Sequence, residues 1–235
     1  MKYQIITGMS KIYFESIGQH MIDSWLRHWP SNFNLKIYSE DNLNISNKRL
    51  EIISLDKFGI EYHNFQNSNI VKLNARSKTF AKKAWPIMSH LEKNTGRLIW
   101  LDADVITQDT ITEEWLDSLL QPNDFSCHLG VPQDQYYSVE TGFFIINLEN
   151  KFKDEFLKKY KEIYYNRDFS NMKKPFDGDV FGRIITEMKT DKNFVFNDLS
   201  PSLDSFSPFN KVFKNKMKHY KAKKKLSFIS DDHAV

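Results

Sequence analysis

A length of 235 residues, with 40% hydrophobic and 27% charged residues, predicts one domain that buries a substantial core. The formal net charge of +3 is too small to indicate a nucleic-acid-binding domain, and no apolar run approaches the roughly 20 residues that a transmembrane helix needs. The single cysteine, Cys127, excludes an internal disulfide framework and a cysteine-based zinc cluster, and the start of the chain lacks the pattern of a signal peptide, so we expect a cytoplasmic protein.

Strands and helices alternate along the chain. Short apolar runs predict strands at residues 3–7, 35–39, 50–54, 98–101, 125–131, 142–148 and 194–196. Apolar residues at spacings of three and four predict a first helix capped by Ser10 and ended by Pro30, and further helices at residues 75–94 (bent at Pro86), 115–120, 151–166 and 178–189. The Asn-rich residues 40–49 and 61–74 are expected to be loops. This alternation predicts an α/β fold, with a mixed, mostly parallel sheet that carries helices on both faces.

The strongest chemical signal is Asp102-Ala103-Asp104, which directly follows the apolar strand at residues 98–101. Side chains two residues apart in an extended strand point to the same side, so the two carboxylates should lie close together. Like charges at that separation repel unless a cation lies between them, and oxygen ligands suit Mn²⁺ or Mg²⁺. The alternative is a surface turn with two solvated aspartates. An apolar strand that delivers the pair to its carboxyl end favours the metal site.

The segments around and after this pair resemble a known family. Residues 98–105, LIWLDADV, are similar to the hydrophobic strand and DxD motif of GT-A-fold glycosyltransferases. Residues 140–148, ETGFFIINL, are similar to a segment of the glycogenin and lipopolysaccharide galactosyltransferase group, with Glu140 where that group has Asn. Residues 176–179, FDGD, lie near the position of its Asp-Gln pair, and residues 219–223, HYKAK, resemble its late metal-binding histidine segment.

The resemblance implies a fold and an activity. It implies one Rossmann-like GT-A domain over residues 1–235, with a nucleotide-sugar-binding half at 1–105 and an acceptor or catalytic half at 106–235. The implied reaction moves a sugar from a nucleotide diphosphate sugar, UDP-sugar by default, to a carbohydrate or other hydroxyl acceptor, with retention of configuration as one of two outcomes. Mn²⁺ or Mg²⁺ is the implied cofactor, held by Asp102, Asp104 and His219. Without the resemblance, a histidine in a lysine-rich segment is usually solvated.

Donor contacts are expected from the first turn, the basic helix, the DxD segment and the basic C-terminal segment. The turn after the first strand places backbone donors near a helix N-terminus, and a tyrosine there could stack on a base. The basic helix contributes lysines and an arginine, although a solvated helix face is an equally good explanation for each of Arg76, Lys78, Lys82 and Lys83. The candidate donor-binding residues are Thr7, Gly8, Ser10, Tyr13, Arg76, Lys82, Asp102, Ala103 and Lys221.

Three carboxylates are candidates for acid–base or nucleophilic chemistry at the sugar. They are Glu140, Asp177 and Asp179. An inverting enzyme needs a general base to deprotonate the acceptor hydroxyl, and a retaining one needs a nucleophile or a same-face route. Because the two aspartates precede a predicted helix, helix capping is their alternative role.

Other functions are weaker alternatives. A haloacid-dehalogenase-like phosphatase also uses an Asp-x-Asp motif. In that group the motif normally follows the first strand, whereas in this sequence about 95 residues precede it. A non-catalytic nucleotide-sugar-binding protein would not need both aspartates. Residues 211–225 carry eight lysines and no acid, so weak contact with an anionic membrane is a further expectation, against packing of the same segment on the domain.

Overall fold

The computed structural model describes residues 2–68, 75–132, 137–169, 172, 175–201 and 208–220. Within those ranges a seven-stranded sheet runs in the order β3-β2-β1-β4-β7-β6-β8. Its strands are β1 (Tyr3–Gly8), β2 (Leu35–Ser39), β3 (Leu50–Ser54), β4 (Arg97–Leu101), β6 (Ser126–Pro132), β7 (Tyr137–Asn147) and β8 (Asn197–Asp198). β1 to β4 are mutually parallel, β7 is antiparallel to β4 and β6, and β8 is parallel to β6. The expected mixed, mostly parallel sheet is confirmed.

The remaining elements flank this sheet. A second, two-stranded sheet pairs β5 (Val105–Thr107) with β9 (Met217–His219) in antiparallel register. A π-helical turn, Phe14–Gly18, joins the first two helices, and a 3₁₀ turn, Leu55–Phe58, precedes the third. The α-helices are α1 (Lys11–Tyr13), α2 (Gln19–His28), α3 (Gly59–Gln66), α4 (Ala75–Ala81), α5 (Ala84–Lys93), α6 (Glu113–Leu119), α7 (Lys153–Asn166), α8 (Asp177–Met188) and α9 (Phe209–Val212).

The core lies on both faces of the large sheet. Residues of β4 alternate between them, with Leu98 and Trp100 in one buried cluster and Ile99 and Leu101 in the other. The first cluster receives α5, α7 and α8, and the second receives α2 and α6. Helices on both faces are therefore confirmed, and the central strands are buried on both sides. Within the described ranges, no helix is both long enough and apolar enough to cross a membrane.

Three local predictions are wrong. The expected loop at 61–74 overlaps α3, which has no apolar stripe but is anchored where Tyr62 and Phe65 pack on the Trp85 ring, at centroid distances of 5.4 and 4.9 Å. The helix at 75–94 breaks at residues 82–83 instead of at Pro86. Pro86 lies in the first turn of α5, where its missing N–H has no helical partner to lose. The last strand of the large sheet lies at 197–198 and not at 194–196.

The topology determines where a ligand site can form. The carboxyl ends of the parallel strands β1, β2 and β4 meet at one edge of the sheet, and polar ligand sites of open α/β sheets lie at that edge. Asp102 and Asp104 follow β4 there, beside the turn that follows β1. β5 begins immediately after Asp104 and pairs with β9, so the same short sheet brings His219 to this edge.

Candidate metal and donor site

Asp102 is fixed at the end of β4 by contacts on both its main chain and its side chain. Its N–H donates to the Gly142 carbonyl at 2.8 Å. Its Oδ1 accepts hydrogen bonds from Trp100 Nε1 at 2.6 Å and from Lys83 Nζ at 3.0 Å. The Asp102 side chain is 23% exposed, and its Oδ2 lies 3.9 Å from His219 Nε2. Trp100 and Lys83 thus hold one oxygen of Asp102, and the other oxygen faces His219.

Asp104 lies deeper and faces two aromatic residues. Its Oδ2 accepts a hydrogen bond from the Tyr13 hydroxyl at 2.7 Å, and its Oδ1 is 3.0 Å from His219 Nε2. Its carbonyl accepts the N–H of Tyr220 at 3.0 Å, which extends the β5–β9 pairing by one residue. Asp104 therefore links the first helical segment to the C-terminal strand.

His219 completes a cluster of three potential metal ligands. Its Nε2 lies 3.0 Å from Asp104 Oδ1 and 3.9 Å from Asp102 Oδ2. One ligand atom from each of the three residues lies within 4.8 Å of the other two. Two carboxylates and an imidazole that converge from β4 and β9 fit a Mn²⁺ or Mg²⁺ ion with open positions for water or phosphate. The structure brings together the three residues that the sequence predicted as ligands.

The backbone and ring of His219 are held tightly. Asn210 brackets its main chain, because its Oδ1 accepts the His219 N–H at 2.7 Å and its Nδ2 donates to the His219 carbonyl at 3.1 Å. Gly142 lies against the ring, and a Cβ at that position would be 2.7 Å from both Cε1 and Nδ1. Phe209 packs on the ring at a centroid distance of 5.1 Å. A glycine in β7 is thus required for the histidine to reach the two aspartates.

The protonation of His219 follows from its acidic surroundings. Burial alone would lower the pKa of this imidazole, but its contacts with Asp104 and Glu140 and the charge of Asp102 together raise the pKa to about 9. Nδ1 is 3.3 Å from Glu140 Oε1, which is within ion-pair distance but outside hydrogen-bond geometry. Without a cation the imidazolium itself neutralises part of the carboxylate charge, so a metal ion would have to replace a proton here.

Lys83, which the sequence analysis did not choose as a candidate donor-binding residue, lies inside the candidate site. The ammonium group is 3.0 Å from Asp102 Oδ1 and 2.6 Å from Asp177 Oδ2, and the side chain is 8% exposed. It also donates to Thr141 Oγ1 at 3.3 Å, and Thr141 in turn donates to Asp177. Burial would lower the pKa of Lys83, but the two aspartates outweigh it and raise that pKa above its ordinary value. Lys83 thus connects the candidate metal site to Asp177.

A weak signal in the sequence pointed to Lys83. It directly precedes Ala84 and Trp85, which begin the buried face of α5, so its stem follows that face inward. Lys82, which the sequence analysis preferred, forms an ion pair with Glu40 and is 29% exposed. Arg76 lies in α4, and Lys221 lies outside the described residues. The sequence analysis predicted one helix over 75–94, so it could not rank the two adjacent lysines without the break between α4 and α5.

The predicted donor-binding residues of the first turn lie beside the aspartates. Thr7 is fully buried and its hydroxyl has no hydrogen-bond partner within the described ranges. Gly8 ends β1 against Trp100, and Ser10 caps the first helix by accepting the Tyr13 N–H at 3.2 Å. The expected capping role of Ser10 is therefore confirmed. Ala103 is buried in the turn between the two aspartates.

The three candidate acid–base residues have different surroundings. Asp177 is buried at the start of α8 and pairs with Lys83. Asp179, two residues further along α8, is partly exposed and accepts a hydrogen bond from the Ser138 hydroxyl at 2.8 Å. Glu140 is buried behind His219, on the side away from Asp104. Asp179 is the most exposed of these three carboxylates.

No protein-family model matches the chain, and no curated protein is significantly similar to it in sequence. Mouse xyloside xylosyltransferase 1 is similar in structure, with a TM-score of 0.55 at 15% identity over 84% of this chain and 85% of that one. Galactosyltransferase LgtC, solved with donor and acceptor sugar analogues, is also similar in structure, with a TM-score of 0.53 at 13% identity over 93% of this chain and 87% of that one.

A third similar structure is the glycosyltransferase GlyE of Streptococcus pneumoniae, with a TM-score of 0.54 at 14% identity over 94% of this chain and 55% of that one. At such identities the likeness establishes the fold and not the reaction. The chain has the GT-A fold of these glycosyltransferases.

Proposed function

We propose that this protein is a metal-dependent glycosyltransferase, which moves a sugar from a nucleotide diphosphate sugar to a hydroxyl acceptor. The observation that carries the proposal is the convergence of Asp102, Asp104 and His219 at the carboxyl edge of a GT-A sheet. The two aspartates follow β4, and the histidine, which is remote in sequence, reaches them through the β5–β9 pairing. A merely structural turn would not need that arrangement.

The metal site suits a diphosphate leaving group. A Mn²⁺ or Mg²⁺ ion held by these three residues would neutralise the negative charge that grows on the diphosphate as the sugar leaves. Asp104 and His219 are proposed as its more direct ligands. Asp102, with one oxygen held by Trp100 and Lys83, would share the ion through its other oxygen or contact the ribose.

The nucleotide is proposed to lie over the end of β1, with UDP as the default donor nucleotide. The hydroxyl of Thr7, which has no hydrogen-bond partner among the described residues, and the turn at Gly8 and Ser10 offer polar groups there. The Tyr13 hydroxyl is engaged by Asp104, so this residue would contact the donor through its ring face. Arg76, Lys82 and Lys221 remain candidate contacts to the donor.

The sugar is proposed to lie toward the start of α8. Lys83 orders Asp177 next to Asp102, which places a buried acid beside the diphosphate site. Asp179, which is more exposed, is the better candidate for contact with the sugar or acceptor. The phosphatase alternative gains nothing from the structure, because the Asp-x-Asp pair follows the fourth strand of a GT-A fold.

A thermal-shift panel tests this proposal. UDP, GDP, CMP and their sugars would be added with and without Mn²⁺ to the wild type, to Asp104→Asn and to Asp117→Asn. Asp117 lies at the opposite edge of the sheet, where it pairs with Lys2 and Arg97, so its variant controls for the loss of one charge. A ligand at 100 times its Kd adds about 2.7 kcal/mol to the free energy of unfolding. For a chain of this size, that raises the melting temperature by roughly 5–10 °C.

The expected result is a shift that needs one nucleotide class, Mn²⁺ and Asp104, and that survives in Asp117→Asn. Sugar transfer from the donor so identified would then be assayed by release of the nucleoside diphosphate. Absence of a shift with every nucleotide in the wild type would reject the donor site. A shift that persists in Asp104→Asn would reject the metal site.

A further inference from the structure

The imidazole of His219 lies between carboxylates on its two opposite edges. Nε2 is 3.0 Å from Asp104 Oδ1, whereas Nδ1 is 3.3 Å from Glu140 Oε1. The side chains of Glu140 and His219 are 6% and 5% exposed, so the contact between them is shielded from water. Proteins commonly orient a metal-binding imidazole by placing a buried carboxylate next to its second ring nitrogen.

The other contacts of His219 do not hold the nitrogen edge of the ring. Asn210 binds the main-chain N–H and carbonyl. Gly142 and Phe209 lie against the ring by van der Waals contact. These groups fix where the ring lies, but a carbon or phenyl contact does not select which nitrogen carries a proton. That selection depends on the charged group that faces Nδ1.

We propose that Glu140 is the positioning residue for His219. Its carboxylate lies 3.3 Å from Nδ1 and by its charge favours the neutral imidazole that carries its proton on Nδ1, which leaves the lone pair on Nε2 directed at an ion shared with Asp102 and Asp104. The inference rests on the proposed function, because it needs the metal site, and it places Glu140 behind a ligand instead of in the sugar site. A buried anion behind the ring also makes the imidazole a stronger ligand.

Direct Mn²⁺ binding to the free protein tests this role without any assay of activity. The free ion gives an electron paramagnetic resonance signal that is lost on binding, so titrations yield a Kd for the wild type, Glu140→Gln, His219→Ala and the double variant. Glu140→Gln keeps the size of the side chain and removes its charge. Asp117→Asn removes one charge at the far edge of the sheet and serves as the matched control.

We expect Glu140→Gln to weaken Mn²⁺ binding about 10- to 100-fold and Asp117→Asn to change it less than about twofold. In the His219→Ala background, Glu140→Gln should have no further effect, because its partner is gone. Additive losses would overturn the proposal, since they would show that Glu140 acts on the ion by itself or through the fold. Equal affinity of Glu140→Gln and the wild type would overturn it too, while leaving the metal site intact.

If the wild type binds Mn²⁺ no better than Asp104→Asn does, both this inference and the proposed metal site are overturned. The melting temperature of each metal-free variant distinguishes a damaged fold from a damaged ligand. If Glu140→Gln does not fold, Glu140→Asp, which keeps the charge and shortens the reach, replaces it in the same cycle. Glu140→Asp should then weaken Mn²⁺ binding relative to the wild type. This weakening should be absent when His219 is replaced by alanine.

Discussion

Lys83 is the residue on which the charge balance of the site depends. Its ammonium group is buried between Asp102 and Asp177, so each carboxylate has a counter-charge that water cannot replace. Lys82 provides a matched comparison, because it is the preceding residue and also forms one ion pair, with Glu40, but its side chain is 29% exposed. Adjacent lysines therefore have different energetic roles.

Lys83→Met should lower the free energy of unfolding by about 3–5 kcal/mol, because the buried Asp177 and the partly exposed Asp102 both lose their partner. Lys82→Met should cost under about 1 kcal/mol, since water screens its pair. Urea unfolding of both variants at pH 7.5 measures the difference. Similar losses in the two would mean that the Lys83 pair contributes no more than a surface pair. Adding Asp177→Asn to Lys83→Met should recover part of the loss.

The protonation of His219 predicts opposite pH dependences for stability and for metal binding. Contacts with the surrounding carboxylates raise its pKa to about 9 in the folded chain, against 6.5 for an ordinary histidine. The folded state therefore binds the proton more tightly than the unfolded state, and this stabilisation is complete below pH 6.5. It is lost as the pH rises through about 9. A metal ion competes with the same proton, so its affinity should rise over that interval.

Between pH 7 and pH 9 we expect the metal-free protein to become less stable while Mn²⁺ affinity increases, by up to about tenfold per pH unit below the pKa. Thermal unfolding with a chelator and Mn²⁺ titrations at pH 7, 8 and 9 measure the two trends. His219→Ala is the control, and both slopes should be reduced in it. Unchanged slopes in that variant would assign the titration to another group.

At the scale of elements, two glycines of different surroundings position the site. Gly142 in β7 faces the His219 ring, where a Cβ would be 2.7 Å from the side chain. Gly182 in α8 faces the main chain of β7, where a Cβ would be 2.3 Å from the Tyr137 carbonyl oxygen. A side chain can move away at the first position, but at the second the helix must separate from the strand.

Gly142→Ala should therefore remove most Mn²⁺ binding with a small effect on the metal-free melting temperature, because only His219 has to move. Gly182→Ala should lower the unfolding free energy by about 1–3 kcal/mol, because the main chain of α8 at Gly182 lies directly against the main chain of β7. Thermal melts with chelator and with Mn²⁺ separate the two effects. A large loss of metal-free stability in Gly142→Ala would contradict this division.

The predictable elements of the fold are those with a local sequence pattern. β2 and β3 lie where the alternation of apolar residues placed them, and the Ser10 cap was readable because capping is local. α3 was missed because Tyr62 and Phe65 are held by Trp85, a contact remote in sequence. β5 and β9 were missed because three-residue strands carry no pattern of their own.

The residues of the candidate site also differ in whether a local sequence pattern could predict them. Asp102 and Asp104 were readable because an apolar strand precedes them, and His219 followed from the family resemblance. Lys83 could not be separated from Lys82 without the helix break at residues 82–83. The placement of Glu140 behind His219 depends on the pairing of β7 with β4 and of β9 with β5, and no local pattern encodes either pairing.

At the scale of the whole molecule, the sheet crosses the boundary between the two halves expected from the sequence. β4 lies in the first half, and its neighbour β7 and the strands beyond it lie in the second. Five residue pairs, from Arg97 with Asn147 to Leu101 with Phe143, join the halves in the centre of the sheet. The buried clusters on both faces also combine residues from before and after position 105.

Unfolding should therefore be a single cooperative transition, as for one domain over residues 1–235. Each half alone would expose the central strand edge and both apolar faces, so we expect residues 1–105 expressed alone to be unfolded or aggregated. Calorimetry of the full chain should give equal calorimetric and van't Hoff enthalpies, and far-ultraviolet and tryptophan fluorescence melts should coincide. Two resolved transitions, or a folded 1–105 fragment, would show that the nucleotide-binding half is an independent domain. Saturating Mn²⁺ and nucleotide should then raise one transition only, whereas a single domain gains stability as a whole.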